Sequence, residues 1–212
     1  MTIRAILFDL DGTLIDQFEA IHRAFSKVLV KMGFPPPSFE KVKRAVGGAS
    51  VNTMTKLVGS ARAHEAVSLL RPIFEKEMLD GLYALPGSSK ILEKCWNHGI
   101  KAAVLTNKHG PHARSACSHL GFDRFLEFTM GANDTEWKKP DPRLTHHALN
   151  RMQSSPDHTI YVGDSPYDYE TALQAGMKSF LVSTGTHQFE ELSLLQGAHV
   201  STSLDLLGKE IF

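Results

Sequence analysis

Short, mostly apolar runs recur along this chain, and each ends in a polar turn. They are Ile3–Phe8, Lys101–Leu105, Thr159–Gly163 and Ser179–Val182, with a weaker run through Phe125–Met130 and another near Ala198–Ser201. Apolar runs without polar alternation suit parallel strands buried on both faces. Between them, apolar residues fall at helical spacing over Gly87–His98, Pro111–Leu120, Pro142–Met152 and Pro166–Gly176. Strands alternating with helices predict an α/β fold built on a doubly wound parallel sheet.

Residues 16–83 break that alternation and contain no convincing strand. Phe18, Ile21, Phe25, Val28, Leu29 and Met32 follow helical spacing, and Gly33 stops the helix. Pro35-Pro36-Pro37 reads as a rigid linker. Further helices are predicted around Phe39–Ala45, Val51–Val58 and Arg62–Asp80, with a kink or break near Arg71 because Pro72 follows it. The expected organisation is a core of residues 1–15 and 84–212 with a small all-helical domain, 16–83, inserted behind the first strand. That placement makes the insertion a lid over the strand's end.

Composition narrows the function classes. Lys+Arg and Asp+Glu balance at 23 each, so no global basic field exists to hold nucleic acid. Two cysteines, Cys95 and Cys117, are too few for a disulfide scaffold. Both fall in helical patterns and read as buried thiols in a reducing compartment. No stretch has the length of a membrane span or a secretory signal. The expectation is a cytoplasmic monomer or homodimer without nucleic-acid or membrane partners.

The polar residues that end the strands are the candidate chemistry. In an open α/β sheet, ligands bind outside the carboxyl ends of the strands. Asp9 and Asp11 follow the first run and precede Gly12-Thr13. Thr106-Asn107-Lys108 follows Val104-Leu105, Asp164 and Asp168 follow Ile160–Gly163, and Lys139 stands before Pro140-Asp141-Pro142. Carboxylates this close repel, so a cation or shared proton is expected among them. Four carboxylates would then surround one lysine, Lys139.

These motifs, in this order, resemble the haloacid dehalogenase superfamily, in its phosphatase branch with a helical cap after the first motif. Asp9-Leu10-Asp11-Gly12-Thr13 is similar to the first motif, Thr106-Asn107-Lys108 to the second, Lys139-Pro140 to the third, and Gly163-Asp164 with Asp168 to the fourth. The match spans essentially the whole chain. Thr-Asn-Lys and Lys-Pro-Asp-Pro look most like the phosphoglycolate phosphatase-like group. The resemblance implies a Rossmann-like core and a Mg²⁺-dependent phosphatase acting on a small phosphorylated metabolite such as phosphoglycolate. It implies Asp9 as nucleophile and Asp11 as acid and base. The metal ligands it implies are Asp9, the backbone carbonyl of Asp11 and Asp164, with Asp168 in an outer shell. Lys139, Thr106 and Asn107 would hold the phosphate.

Competing readings stand beside these. Ser165-Pro166-Tyr167-Asp168 is also a capping box, and Asp16 reads as a helix-start residue. Eleven histidines invite a zinc site, but neighbours such as His146 and His147 point about 100° apart on a helix. His109, beside the second motif, can touch substrate. In the insertion, Lys41, Lys43 and Arg44 precede Gly47-Gly48. One reading is a solvated face. The other is that the glycine loop dips to the site and Arg44 meets an acidic substrate. A phosphosugar mutase similar to β-phosphoglucomutase, and a catalytically silent interaction domain, are the alternative functions.

Overall fold

A computed structural model describes residues 2–212; Met1, part of the expected core span, lies outside the described residues. The elements run β1 (Ala5–Phe8), β2 (Ile15–Asp16), α1 (Phe18–Lys31), α2 (Phe39–Ala45), α3 (Ser50–Val58), α4 (Ser60–Glu77) and β3 (Tyr83–Ala84). They continue with α5 (Ser88–Asn97), β4 (Lys101–Leu105), α6 (Gly110–His119), β5 (Thr129–Met130), α7 (Pro142–Met152) and β6 (Thr159–Gly163). The chain closes with α8 (Pro166–Gln174), β7 (Lys178–Val182), α9 (Phe189–Leu192), β8 (His199–Ser201) and α10 (Leu204–Ile211).

The main sheet has six parallel strands in the order β5-β4-β1-β6-β7-β8. β1 is central, with Ile6 opposite Ala102 on one side and Ile160 on the other. From β1 the chain winds outward through β4 and β5, then returns to β6 and winds the other way. The reversal lies between β1 and β6, which is where such sheets bind ligands.

Alternate residues of the central strands feed two cores. Ile6, Phe8, Ala102, Val104, Ile160 and Val162 pack on one face, joined to α5, α6, α10 and the inserted helices. Leu7, Ala103, Leu105 and Tyr161 pack on the other, beneath α7 and α8. Leu10, Leu14, Ile15 and Phe18 carry the first core from the sheet into the insertion.

The inserted segment departs from the sequence reading in two respects. α4 runs through Pro72 as one helix, so of the kink or break expected near Arg71 the break does not occur. Its Ala63, Ala66, Leu70 and Phe74 are buried in the same core as Phe18, Ile21 and Phe25 of α1, and this packing outweighs the one lost hydrogen bond. The second departure is an antiparallel ribbon of β2 and β3, in which Ile15 faces Ala84 and Asp16 faces Tyr83. Two-residue strands carry no readable periodicity. Asp16 does serve the helix start: its Oδ1 accepts from the Phe18 amide at 3.0 Å, and its Oδ2 accepts from the Tyr83 hydroxyl at 2.8 Å. No helix among the described residues is long and apolar enough to cross a membrane.

Candidate active site

The strand ends meet at one edge. Backbone pairing carries on past β1, since the Asp9 amide donates to Val162 O at 2.8 Å. The chain then turns sharply. Gly12 takes φ +86°, and a Cβ there would stand 2.7 Å from Gly185 Cα and 2.9 Å from Asp164 Oδ2. Only glycine allows this turn to press against the end of β6.

Asp9, Lys139, Asp164 and Asp168 form a buried cluster, each at most 5% exposed. Lys139 Nζ donates to Asp9 Oδ1 and to Asp168 Oδ1, both at 2.7 Å. Asp168 Oδ2 accepts from the Asp164 and Ser165 amides at 3.1 and 3.0 Å, and from Ser165 Oγ at 2.7 Å. The capping box is therefore present, and the capping acid also grips the lysine. Asp164 Oδ2 accepts from the Thr186 amide at 2.7 Å and its hydroxyl at 2.9 Å. Ligand oxygens of Asp9, Asp164 and Asp168 lie within 4.8 Å of one another.

Electrostatics make this cluster short of positive charge. Burial, with Asp168 and Asp11 adding to it against the pull of Lys139, pushes the Asp9 carboxyl up to about 6. Burial, then Asp168 and Asp9, push Asp164 well above the carboxylate range. Lys139 loses solvation, but Asp168 and Asp9 outweigh that and hold it firmly protonated. Three buried carboxylates against one ammonium leave a deficit that a divalent cation would meet. An all-oxygen donor set fits a hard ion such as Mg²⁺.

Asp11 stands apart. Lys108 Nζ donates to both its oxygens at 2.9 Å and to Gln17 Oε1 at 2.6 Å. This corrects the expectation of four acids around one lysine: a second, half-buried lysine takes Asp11. Sequence reasoning missed the pair because its members lie 97 residues apart; the basic third position of the second motif was the only available signal. Gln17 in turn donates to Met78 O at the end of α4.

Thr106 is buried, and its Oγ1 accepts from the Lys108 amide at 3.2 Å. Asn107 is committed elsewhere. Its Nδ2 donates to Lys139 O at 3.1 Å and Gly47 O at 3.2 Å, and its Oδ1 accepts from the Lys139 amide at 3.0 Å. Both amide protons are spent on carbonyls, so Asn107 braces Lys139 instead of offering a free donor to phosphate.

Asp9, Asp11, Thr106, Asn107 and Lys108 open into a chamber of about 400 Å³ roofed by the inserted helices. Gly47 and Gly48 line it, as does His109. Arg44 does not, which corrects its expected place. Its guanidinium donates to Glu191 Oε1 and Oε2 at 2.7 and 2.9 Å and to Thr186 O at 3.0 Å, and it borders a separate surface cleft with Lys41, Tyr167 and His187. The arginine in the chamber is Arg71. The cysteines lie outside it, and burial lifts their thiols to about 12 for Cys95 and about 11 for Cys117. They are inert at neutral pH.

Comparison with known proteins gives the family and the fold. The pattern that defines the haloacid dehalogenase-like hydrolases matches residues 6–182. A 5'-nucleotidase of Pseudomonas aeruginosa is 30% identical over 207 residues, covering 95% of this chain and 92% of its own. A phosphoglycolate phosphatase of Rhodobacter capsulatus is 29% identical over 187 residues, 85% of this chain and 84% of its own. Among solved structures, a Bacteroides fragilis protein provisionally described as a haloacid dehalogenase-like hydrolase superposes with a TM-score of 0.92. It covers 97% of this chain and all of its own at 23% identity, a likeness that speaks for the fold.

Proposed function

The chain belongs to the haloacid dehalogenase-like hydrolases, and on that premise we propose that it hydrolyses a small phosphate monoester with Mg²⁺, through a phosphoryl group carried on Asp9. The observation that carries this reading is the buried acid cluster at the β1/β6 edge, gripped by Lys139, with Asp11 beside it facing the chamber.

Lys139 fixes one Asp9 oxygen, and the other accepts no hydrogen bond from the described residues. An Asp9 oxygen attacks phosphorus, the bond from phosphorus to the alcohol oxygen breaks, and Asp11 gives that oxygen its proton. Water then attacks the aspartyl phosphate, and Asp11 takes its proton as inorganic phosphate leaves. Lys108, bonded to both Asp11 oxygens, sets where that proton carrier points. Thr106 and the amides after β4 hold phosphoryl oxygens, and Asn107 holds Lys139 in register. Asp9, Asp164 and the backbone carbonyl of Asp11 would bind the Mg²⁺, supported by Asp168, and the bound ion supplies the divalent charge that neutralises the phosphoryl group. Residues 16–83 act as a cap unit on a core of 1–15 and 84–212, a division supported by the β2–β3 ribbon where the chain crosses between them.

The test is phosphate release from a panel of small esters, phosphoglycolate included, with Mg²⁺ present and after chelation. Release that needs Mg²⁺, stops with EDTA and returns on re-addition is expected. Isomerisation of a hexose 1-phosphate without free phosphate would replace this reading with a mutase. Unaffected release after exhaustive chelation would remove the metal.

A further inference from the structure

The cap-side wall of the chamber takes no part in the phosphoryl chemistry just derived. On α4, Val67, Leu70, Arg71 and Phe74 recur at helical three- and four-residue spacing, and all four line the chamber with Phe25 of α1. The wall is therefore mainly apolar, with one guanidinium along it, that of the solvent-exposed Arg71.

Most polar groups near that guanidinium already have partners. Lys108 is held by Asp11 and Gln17, and its Nζ lies 5.1 Å from the centre of the Phe74 ring. His112, which stacks edge-on to Phe74 at 5.2 Å, has its Nε2 3.3 Å from Glu75 Oε1. Burial above all lowers the pKa of both His109 and His112, with the Glu75 hydrogen bond opposing it at His112. Arg71 makes no hydrogen bond or ion pair among the described residues, and a guanidinium stays charged at any working pH. A planar fork of this kind matches a carboxylate with two parallel bonds.

Size points the same way. About 400 Å³ falls in the range of pockets that take drug-sized molecules, roughly 300–1,000 Å³. A two-carbon acid would leave most of the apolar wall uncovered.

We propose that this wall is the subsite for the alcohol half of the ester, selecting an alcohol with an apolar, ring-sized body that ends in a carboxylate, the body against Phe25, Leu70 and Phe74 and the carboxylate on Arg71. The proposal rests on the phosphatase reading above. It makes phosphoglycolate a poor substrate, although that reading admits it to the panel.

The test measures kcat and KM for phosphoglycolate, benzyl phosphate and 4-carboxybenzyl phosphate with Mg²⁺. All three are alkyl esters, so proton donation to the leaving oxygen is needed by each. The wild-type enzyme is expected to favour 4-carboxybenzyl phosphate by about tenfold or more in kcat/KM, as a hydrogen-bonded charge pair gives. Arg71→Gln should raise KM for that ester about ten times more than for benzyl phosphate, and Arg71→Lys should recover part of the loss. Phosphoglycolate turned over as well as the carboxybenzyl ester overturns the proposal. So does an equal response of both benzyl esters to Arg71→Gln. Failure to hydrolyse any ester overturns the phosphatase reading and this inference with it, whereas similar kcat/KM for all three overturns the inference alone.

Discussion

The sheet edge and the helical roof face one chamber with opposite chemistry. At the edge, polar side chains hold one another: Asp9, Lys139 and Asp168 form one chain of contacts, Asp164 is tied to Thr186, and Asp11 is tied to Lys108. The positions are set before any ligand arrives, which is what phosphoryl transfer asks of its groups. On the roof, Val67, Leu70 and Phe74 offer surface without direction, and Arg71 is unengaged. On the proposed reading, the edge meets the part of the substrate that every ester shares, and the roof meets the part that differs. Substitutions at the edge should therefore reduce turnover of all substrates, and those on the roof should reorder them.

Asp9→Asn gives the hardest break of that comparison. Loss of the proposed nucleophile, acting with its neighbours as a unit, is expected to lower kcat by about 10⁴-fold or more on every ester, in a protein whose circular dichroism is unchanged. A folded Asp9→Asn enzyme within tenfold of wild type would mean the edge does not carry the chemistry.

Asp11→Asn should cost about 10²–10⁴-fold with benzyl phosphate and clearly less with p-nitrophenyl phosphate, whose leaving group needs little proton donation. Lys108→Met should follow the same substrate order at smaller size, and should add little when combined with Asp11→Asn. Additive losses in the double variant would show that Lys108 acts on something other than Asp11.

The next test concerns metal-free protein. Asp9 has its pKa raised by burial to about 6, against 3.8 for an unperturbed aspartate. Between those values the folded state binds more protons than the unfolded state, so this cluster's contribution to stability falls as pH rises through about 6. EDTA-treated enzyme should melt a few degrees higher at pH 5 than at pH 7 relative to the same comparison in Asp164→Asn, which lacks one of the repelling charges. Mg²⁺ should erase most of the difference. Identical pH responses in the two proteins would mean that the acids are not in conflict.

Arg44→Ala carries the smallest effect. Its guanidinium grips Glu191 in an exposed pair outside the chamber, and such pairs contribute little. KM for charged and uncharged esters should stay within about twofold. A selective rise for the carboxylated ester would return specificity to the glycine-loop side of the cap.

The sheet was legible because its strands are buried on both faces and read as unbroken apolar runs; Lys101–Leu105 and Thr159–Gly163 have the expected bounds. β2, β3 and the four-residue α9 were not, being too short for a period to repeat. Pro72 misled because its local penalty is set by tertiary packing that only the folded chain supplies. Strand ends also brought Asp9 and Asp164 to notice, since position in a parallel sheet fixes where they emerge, whereas Lys139, in a loop before a helix, stood out by the proline after it. What the side chains do after emerging was not readable. Asn107 turns to the Lys139 backbone, Lys108 reaches Asp11, and Arg44 points at Glu191 instead of the chamber, each through a partner distant in sequence.

The two-stranded ribbon also bears on how the chain assembles. β1 pairs with β4, which lies beyond the whole insertion, so Ile6 must find Ala102 across a long contour. Closing a loop of that length delays any nucleus that depends on it. The ribbon changes the path length that matters. Once Ile15 is paired with Ala84 and the Tyr83 hydroxyl is on Asp16, the four helices hang from a closed stem. The remaining route from Phe8 to Lys101 is then short, running through the stem and α5 alone. Seen from the sheet, the entire helical segment then counts as a tight hairpin, the cost of spanning it having moved to closure of the ribbon.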